Sequence, residues 1–275
     1  MTAIQQKSFN LLPVGVVLLA LFFGCATTGV NKGDLNLFTT EDELRLGEQF
    51  SQEVPKQYPI LNDPQVTAYF DRIGQNIAAH SERSNIPYHF QVIDTDDINA
   101  FALPGGYIYI HKGLITHADN LSEVAGVIAH EVSHVVGRHG TEQLTRQYGF
   151  NVLTQLVLGE NPGMIEQIIA NLTGTLGILH YGRKAEHEAD HLAVRYAYAA
   201  NYDPMGLLTF FQKLQALSKS EPSKLEVLFS THPPTSERIN RVQAEINQLP
   251  SKPSLIKDDP EFQKIKAKLL QRVKS

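Results

Sequence analysis

The stretch "GVIAHEVSHVVGRHG", residues 126–140, carries the H-E-x-x-H spacing at His130, Glu131 and His134. That spacing is a metal-binding pattern when it falls on a helix. Residues four apart on an α-helix lie about 40° apart on one face, so two such histidines can share an ion. Around them Val124, Ala125, Val127, Ile128, Ala129, Val132, Val135 and Val136 cover almost every side. A helix apolar all round is a buried one. Two imidazoles and a carboxylate in such a place need partners, and a zinc ion supplies one. A bland pair of core histidines would leave Glu131 without a reason.

A second H-E-x-x-H follows in "AEHEADHLAV", residues 185–194, at His187, Glu188 and His191. Here the helical wheel gives the opposite answer. Ala189, Ala193, Tyr196 and Ala197 define the apolar face, with Glu186 and Asp190 on or beside it. His187 and His191 turn about 100–140° away, toward Arg195 and Tyr198. The second motif is therefore read as a surface coincidence. Its core-facing carboxylates are informative, because acids are almost never buried unless paired. Catalytic zinc typically takes three protein ligands and keeps a fourth position for water. His130 and His134 supply two, and Glu186 can supply the third. Asp190, one turn on, can accept the free N–H of a ligand histidine and fix its tautomer.

A competing ligand is His139. The metzincin pattern H-E-x-x-H-x-x-G-x-x-H would match Gly137, but Gly140 stands where its last histidine belongs. On a continuous helix His139 lies roughly opposite His130. Arg138 and His139 are read as helix-end residues, where positive charge suits the dipole. A break in the helix would bring His139 back into contention.

The chain as a whole has 275 residues, 42% of them hydrophobic, with 24 basic and 29 acidic residues and a net charge of −5. That length buries one substantial core. The charge balance shows no nucleic-acid footprint and no polybasic membrane patch. Residues 1–24 are different: Lys7 precedes the apolar "FNLLPVGVVLLALFFG", a run of signal-peptide length. It ends at Cys25, the single cysteine, and "LFFGC" before "ATTG" resembles a bacterial lipobox, so Cys25 is expected to be lipidated. An incidental cysteine or an uncleaved anchor is the plainer alternative. Residues 25–38 read as a lipidated tether, 39–250 as the folded domain, and 251–275 as a linker with a Lys-rich helix.

Within the domain, Asp63 and Pro64 give an N-cap and first-turn proline for a helix. "YHFQVID" (88–94) and "GYIYIHKGLI" (106–115) read as strands, with "NAFALPGG" (99–106) as a turn between them. Ser122 with Glu123 opens a helix to about Gly137. Residues 141–159 and 163–182 read as two apolar helices, buried or covering a cleft. The predicted class is α+β, mostly helical with a small sheet.

"HEVSH", "RKAEHEAD" and "THPPTSER" together resemble the HtpX/CAAX-prenyl-protease family of zinc metallopeptidases, and among them the periplasmic lipoproteins like BepA and LoiP. The resemblance runs from about Glu41 to Gln248 and includes "NAFALPGGYIYIHKGLI". It implies a gluzincin-type fold with a sheet edge beside the cleft, and one zinc ion held by His130, His134 and Glu186. It further implies Glu131 as catalytic acid/base, Asp190 behind the ligands, and His232 close to the metal or the transition state. The expected activity is zinc-dependent endoproteolysis of misfolded or unassembled envelope polypeptides. The expected location is the periplasmic side of a Gram-negative envelope, lipid-anchored to the outer membrane. Peptide can add as a strand along "GGYIYI", if that strand is an exposed edge rather than an ordinary covered one. Residues after Gln248 are too few for the C-terminal helical repeats of BepA-like proteins. The rival reading is a non-catalytic, chaperone-like lipoprotein on a protease scaffold, against which an intact Glu131 argues.

Overall fold

Thr39 opens the first helix with a capping box: its side chain accepts from Asp42 N–H, and the Asp42 side chain answers on the Thr39 backbone. Helix α1 (Thr40–Gln57) is followed by α2 (Pro64–Ala79), capped by Asp63 with Pro64 at its start. The computed structural model describes residue 30 and residues 35–170, 181–233 and 235–272. The N-terminal apolar run, Cys25 and residues 171–180 of the apolar stretch 163–182 lie outside the described residues.

Three short strands form the sheet: β1 (His89–Ile93), β2 (Ala100–Leu103) and β3 (Tyr107–His111). Their order is β1-β3-β2, with β3 parallel to β1 and antiparallel to β2. This corrects two expectations. "NAFALPGG" contains a strand rather than only a turn, and "GYIYI" is the central strand, paired on both sides. It offers no open edge to a peptide; the edges are β2 and β1, the latter met by an isolated bridge from Ile60 at Ile93. The turn reading failed because all four β2 residues are buried, so no period-two polarity marks the strand. β3 stops at His111 because Lys112 begins the short helix α3 (Lys112–His117), where a Cβ on Gly113 would stand 2.2 Å from the Asp96 carbonyl oxygen.

β2 and most of β3 are buried on both faces, whereas His89 and Gln91 leave part of one face of β1 exposed. Phe90, Val92, Ala100, Ala102, Ile108 and Ile110 join the main core, while Phe101, Leu103 and Tyr109 join a second core under α1. Helix α4 (Leu121–Val136), capped by Asn120, lies against the first face with every residue buried. Next come α5 (His139–Gln147), α6 (Phe150–Leu158) and α7 (Pro162–Ala170). The single helix expected over 141–159 is broken at Tyr148 and Gly149.

Helices α8 (Arg183–Ala199) and α9 (Met205–Leu217) pack on α4. The α4–α9 crossing brings backbones into contact: a Cβ on Gly206 would stand 2.0 Å from the Ser122 carbonyl oxygen, and one on Gly126 2.7 Å from the Leu207 nitrogen. The short α10 (Glu226–Thr231) and α11 (Ser236–Ile246) complete the wall over α8 and α9. The last helix, α12 (Pro260–Arg272), belongs to the main core through Phe262, Ile265 and Leu269. Among the described residues no helix is long and apolar enough to cross a membrane.

Candidate metal centre

Four buried side chains from three segments converge: His130 and His134 from α4, Glu186 from the first turn of α8, and His232 where α10 ends. His134 Nε2 lies 3.0 Å from His130 Nε2 and 3.4 Å from Glu186 Oε1. His130 Nε2 lies 3.6 Å from Glu186 Oε2 and 3.4 Å from His232 Nδ1, which is itself 2.9 Å from Glu186 Oε1. Ligands about 2 Å from a tetrahedral zinc stand about 3.3 Å from one another. The observed separations bracket that value, and three imidazoles with one carboxylate are a zinc-type donor set. The residues fit the ion.

Glu131 follows His130 in sequence but turns to the cleft side of the cluster. It is buried, with Oε1 3.9 Å from His232 Nε2, and its Oε2 has no hydrogen-bond partner among the described residues. Burial pushes its carboxyl pKa up, against the opposing pull of His232 and His130. A buried carboxylate with a spare oxygen is fit to take up and release a proton.

Asp190 Oδ1 stands 3.1 Å from His130 Nδ1, close to it though off the hydrogen-bond line. Asp190 also binds Arg238, which sequence reasoning did not single out. Arg238 Nε and Nη2 donate to its two oxygens at 2.7 and 2.6 Å, and Nη1 is 2.6 Å from Glu186 Oε2. The guanidinium stacks over Phe211 at 4.6 Å. Burial disfavours charge on Glu186 and Asp190, yet the neighbouring cations win and hold both carboxyls below the usual range: His232 and Arg238 for Glu186, Arg238 above all for Asp190. A signal for Arg238 existed: it stands four residues before Val242 and eight before Ile246, on the buried stripe of α11. Tyr181, also missed, stacks on His134 with centroids 4.0 Å apart.

His187 and His191 do not join the cluster. They are half-buried against α11 rather than freely solvated, beside Glu237 (3.5 Å) and Glu245 (3.1 Å) respectively. His139 is not a member either, but α4 does break before it. Gly137 caps α4, and Arg138 adopts a left-handed conformation (φ 56°, ψ 27°). The break buries His139, with Nδ1 2.9 Å from His134 Nδ1 and Nε2 3.1 Å from Glu188 Oε2. Its reading as a dipole-facing helix end is thereby replaced. Beside the cluster, Ala102 and Leu103 of β2 and the following Pro104 line a small void with Glu43, His134, Gly140 and Tyr181.

Residues 64–246 match the description of Peptidase family M48, two-thirds of the chain and all four clustered residues. This chain belongs to that family. It is 32% identical over 239 residues to the beta-barrel assembly-enhancing protease of Escherichia coli K12, covering 83% of this chain and 48% of that protein. It is 28% identical over 218 residues to the mitochondrial metalloendopeptidase OMA1 of Schizosaccharomyces pombe, covering 78% and 64%. Metalloprotease YcaL of Escherichia coli K12 is 26% identical over 191 residues, covering 66% and 73%. The chain thus spans about half the length of the assembly-enhancing proteases it matches.

Proposed function

We propose that this protein is a zinc-dependent endopeptidase acting on polypeptides of the bacterial envelope. The observation that carries the reading is the enclosure of His130, His134, Glu186 and His232 around one point, beside a Glu131 oxygen that has no hydrogen-bond partner among the described residues. His130, His134 and Glu186 would hold the ion, and zinc, when bound, would polarise water and the scissile carbonyl. Glu131 takes the proton from the attacking water and delivers it to the leaving amine. Asp190 orients His130, and Arg238 keeps Glu186 and Asp190 ionised. His232 is the fourth residue of the cluster and would complete the ligand set. Of its two expected roles, the 2.9 Å separation from Glu186 supports that of a resting ligand, which withdraws to admit substrate.

Peptide adds along β2, the strand whose outer side has no strand partner among the described residues, because an unpaired edge binds backbone with little regard to sequence. Envelope substrates follow the name of the beta-barrel assembly-enhancing relatives; a role in quality control and a periplasmic place are our own extension of that name. The lipid anchor at Cys25 on the outer membrane follows the lipobox-like sequence.

The test is metal analysis with casein digestion, with and without a chelator. Glu131→Gln is expected to keep one zinc per chain and lose proteolysis. A Glu131→Gln protein as active as the parent would sink the mechanism, and a fully active metal-free protein the whole reading. For the anchor, Cys25→Ala is expected to release the protein from membranes and change its size; unchanged attachment refutes lipidation.

A further inference from the structure

We infer that His139, anchored by Glu188, is a positioning residue that fixes the tautomer and ring orientation of His134. The inference rests on the zinc reading above. His134 points Nε2 at the cluster, so its Nδ1 must carry the proton if Nε2 is to offer a lone pair. That N–H needs an acceptor, since the ring is fully enclosed. The partner within reach is His139 Nδ1 at 2.9 Å. A neutral His139 can accept there when its own proton sits on Nε2, and Glu188 Oε2, 3.1 Å from that atom, is the acceptor that puts it there. With the opposite tautomer, a bare Nε2 would face a carboxylate, and the proton on His139 Nδ1 would push that of His134 onto the ligand nitrogen. One assignment satisfies every atom in the row. Asp190 lies at a similar distance, 3.1 Å, from His130 Nδ1, without a formed hydrogen bond.

The backbone is built around this contact. Continued as a helix, position 139 would lie about 140° around the axis from 134. The turn at 137–138 brings it back. A Cβ on Gly137 would stand 2.4 Å from His139 Nε2, so the ring lies directly over the glycine. Arg138 takes a left-handed conformation that side chains disfavour, held by Glu43 (Nε to Oε2, 3.1 Å) and by the Phe38 carbonyl at 2.6 Å. Tyr181 covers the other side of His134. The second H-E-x-x-H motif thereby contributes to the first site through its glutamate, not its histidines.

The test measures zinc dissociation constants by competition with a chromogenic chelator, and the visible absorption of the cobalt-substituted protein. His139→Phe, which keeps bulk but accepts no hydrogen bond, is expected to weaken zinc by about 10- to 100-fold and alter the cobalt bands. His139→Asn, which offers an acceptor, should recover most of the loss. Glu188→Leu should weaken zinc about tenfold, and adding it to His139→Phe should cost nothing more. Unchanged affinity and cobalt spectrum in His139→Phe and Glu188→Leu would overturn the inference. A loss in His139→Phe that Asn does not restore would also overturn it, because packing would then be the cause. If His139→Phe does not fold, Glu188→Leu decides, its side chain being 24% exposed. A parent protein that takes up no zinc refutes the metal centre itself; tight binding by parent and variants alike refutes only the role of His139.

Discussion

Replacing Arg238 with methionine strips the buried cation from two carboxylates at once. Asp190 loses hydrogen bonds of 2.7 and 2.6 Å, and Glu186 a contact of 2.6 Å. Both acids are enclosed, at 3% and 2% exposure, so water cannot replace the guanidinium. Removing one member of a buried ion pair costs about 3–5 kcal/mol. His130 at 3.1 Å from Asp190 and His232 at 2.9 Å from Glu186 remain, which places the expected loss near the lower end, about 3 kcal/mol. The chain has no tryptophan, so urea unfolding is best followed by far-ultraviolet circular dichroism, in chelator and again with zinc. Zinc should shrink the loss by giving Glu186 a cation. Adding Asp190→Leu should recover about 2 kcal/mol of coupling, because an apolar pair replaces an unpaired charge. A loss below about 1 kcal/mol in chelator would show that Arg238 does not hold the acids, and the electrostatic account would fail.

Three further outcomes follow from particular contacts. Gly206→Ala should cost about 1–3 kcal/mol and push α9 off α4, since its Cβ would meet the Ser122 carbonyl at 2.0 Å; an unchanged melting temperature would contradict the backbone contact. Burial pushes the His111 pKa down to about 4, against an ordinary 6.5. The unfolded chain therefore binds the proton more readily, and stability present above about pH 6.5 is lost as pH falls toward 4, about 2 kcal/mol by pH 5. His111→Leu should lack that slope in urea titrations at pH 7.5 and 5; equal slopes would refute it. His232→Ala should raise peptide turnover or loosen zinc if His232 is a resting ligand, whereas an oxyanion donor would show kcat falling about a hundredfold or more. A variant matching the parent in both respects would remove His232 from the site.

The parts of the site legible in the sequence were those written in helical periodicity. His130 and His134 stand four apart on a helix apolar all round, and Glu186 and Asp190 stand four apart on the apolar side of α8. What escaped depends on tertiary context. β2 has no polar face because cores lie on both sides of it. The break before His139 is made by a left-handed arginine rather than a glycine, and no local rule marks that position; its anchor Glu43 lies 95 residues upstream. Glu188 was dismissed with its histidines because a helical wheel sorts side chains by direction but not by reach. His232 was legible through the family resemblance, since two prolines after a histidine do not by themselves say what the loop faces.

Arg238, Glu186 and Asp190 also bear on the ion's share in holding the fold together. Glu186 and Asp190 set two buried carboxylates against one guanidinium, with the buried Glu131 carboxyl beside them, an acidic excess that a divalent cation would offset. Those acids come from α4 and α8, while the arginine sits on α11 and His232 at the end of α10. A cation bound at their meeting point would act as a rivet between these helices as well as a reagent at the site. Metal uptake should expel protons from the cluster and raise the resistance of α10 and α11 to added protease, so that catalysis and integrity are lost together when the ion is withdrawn.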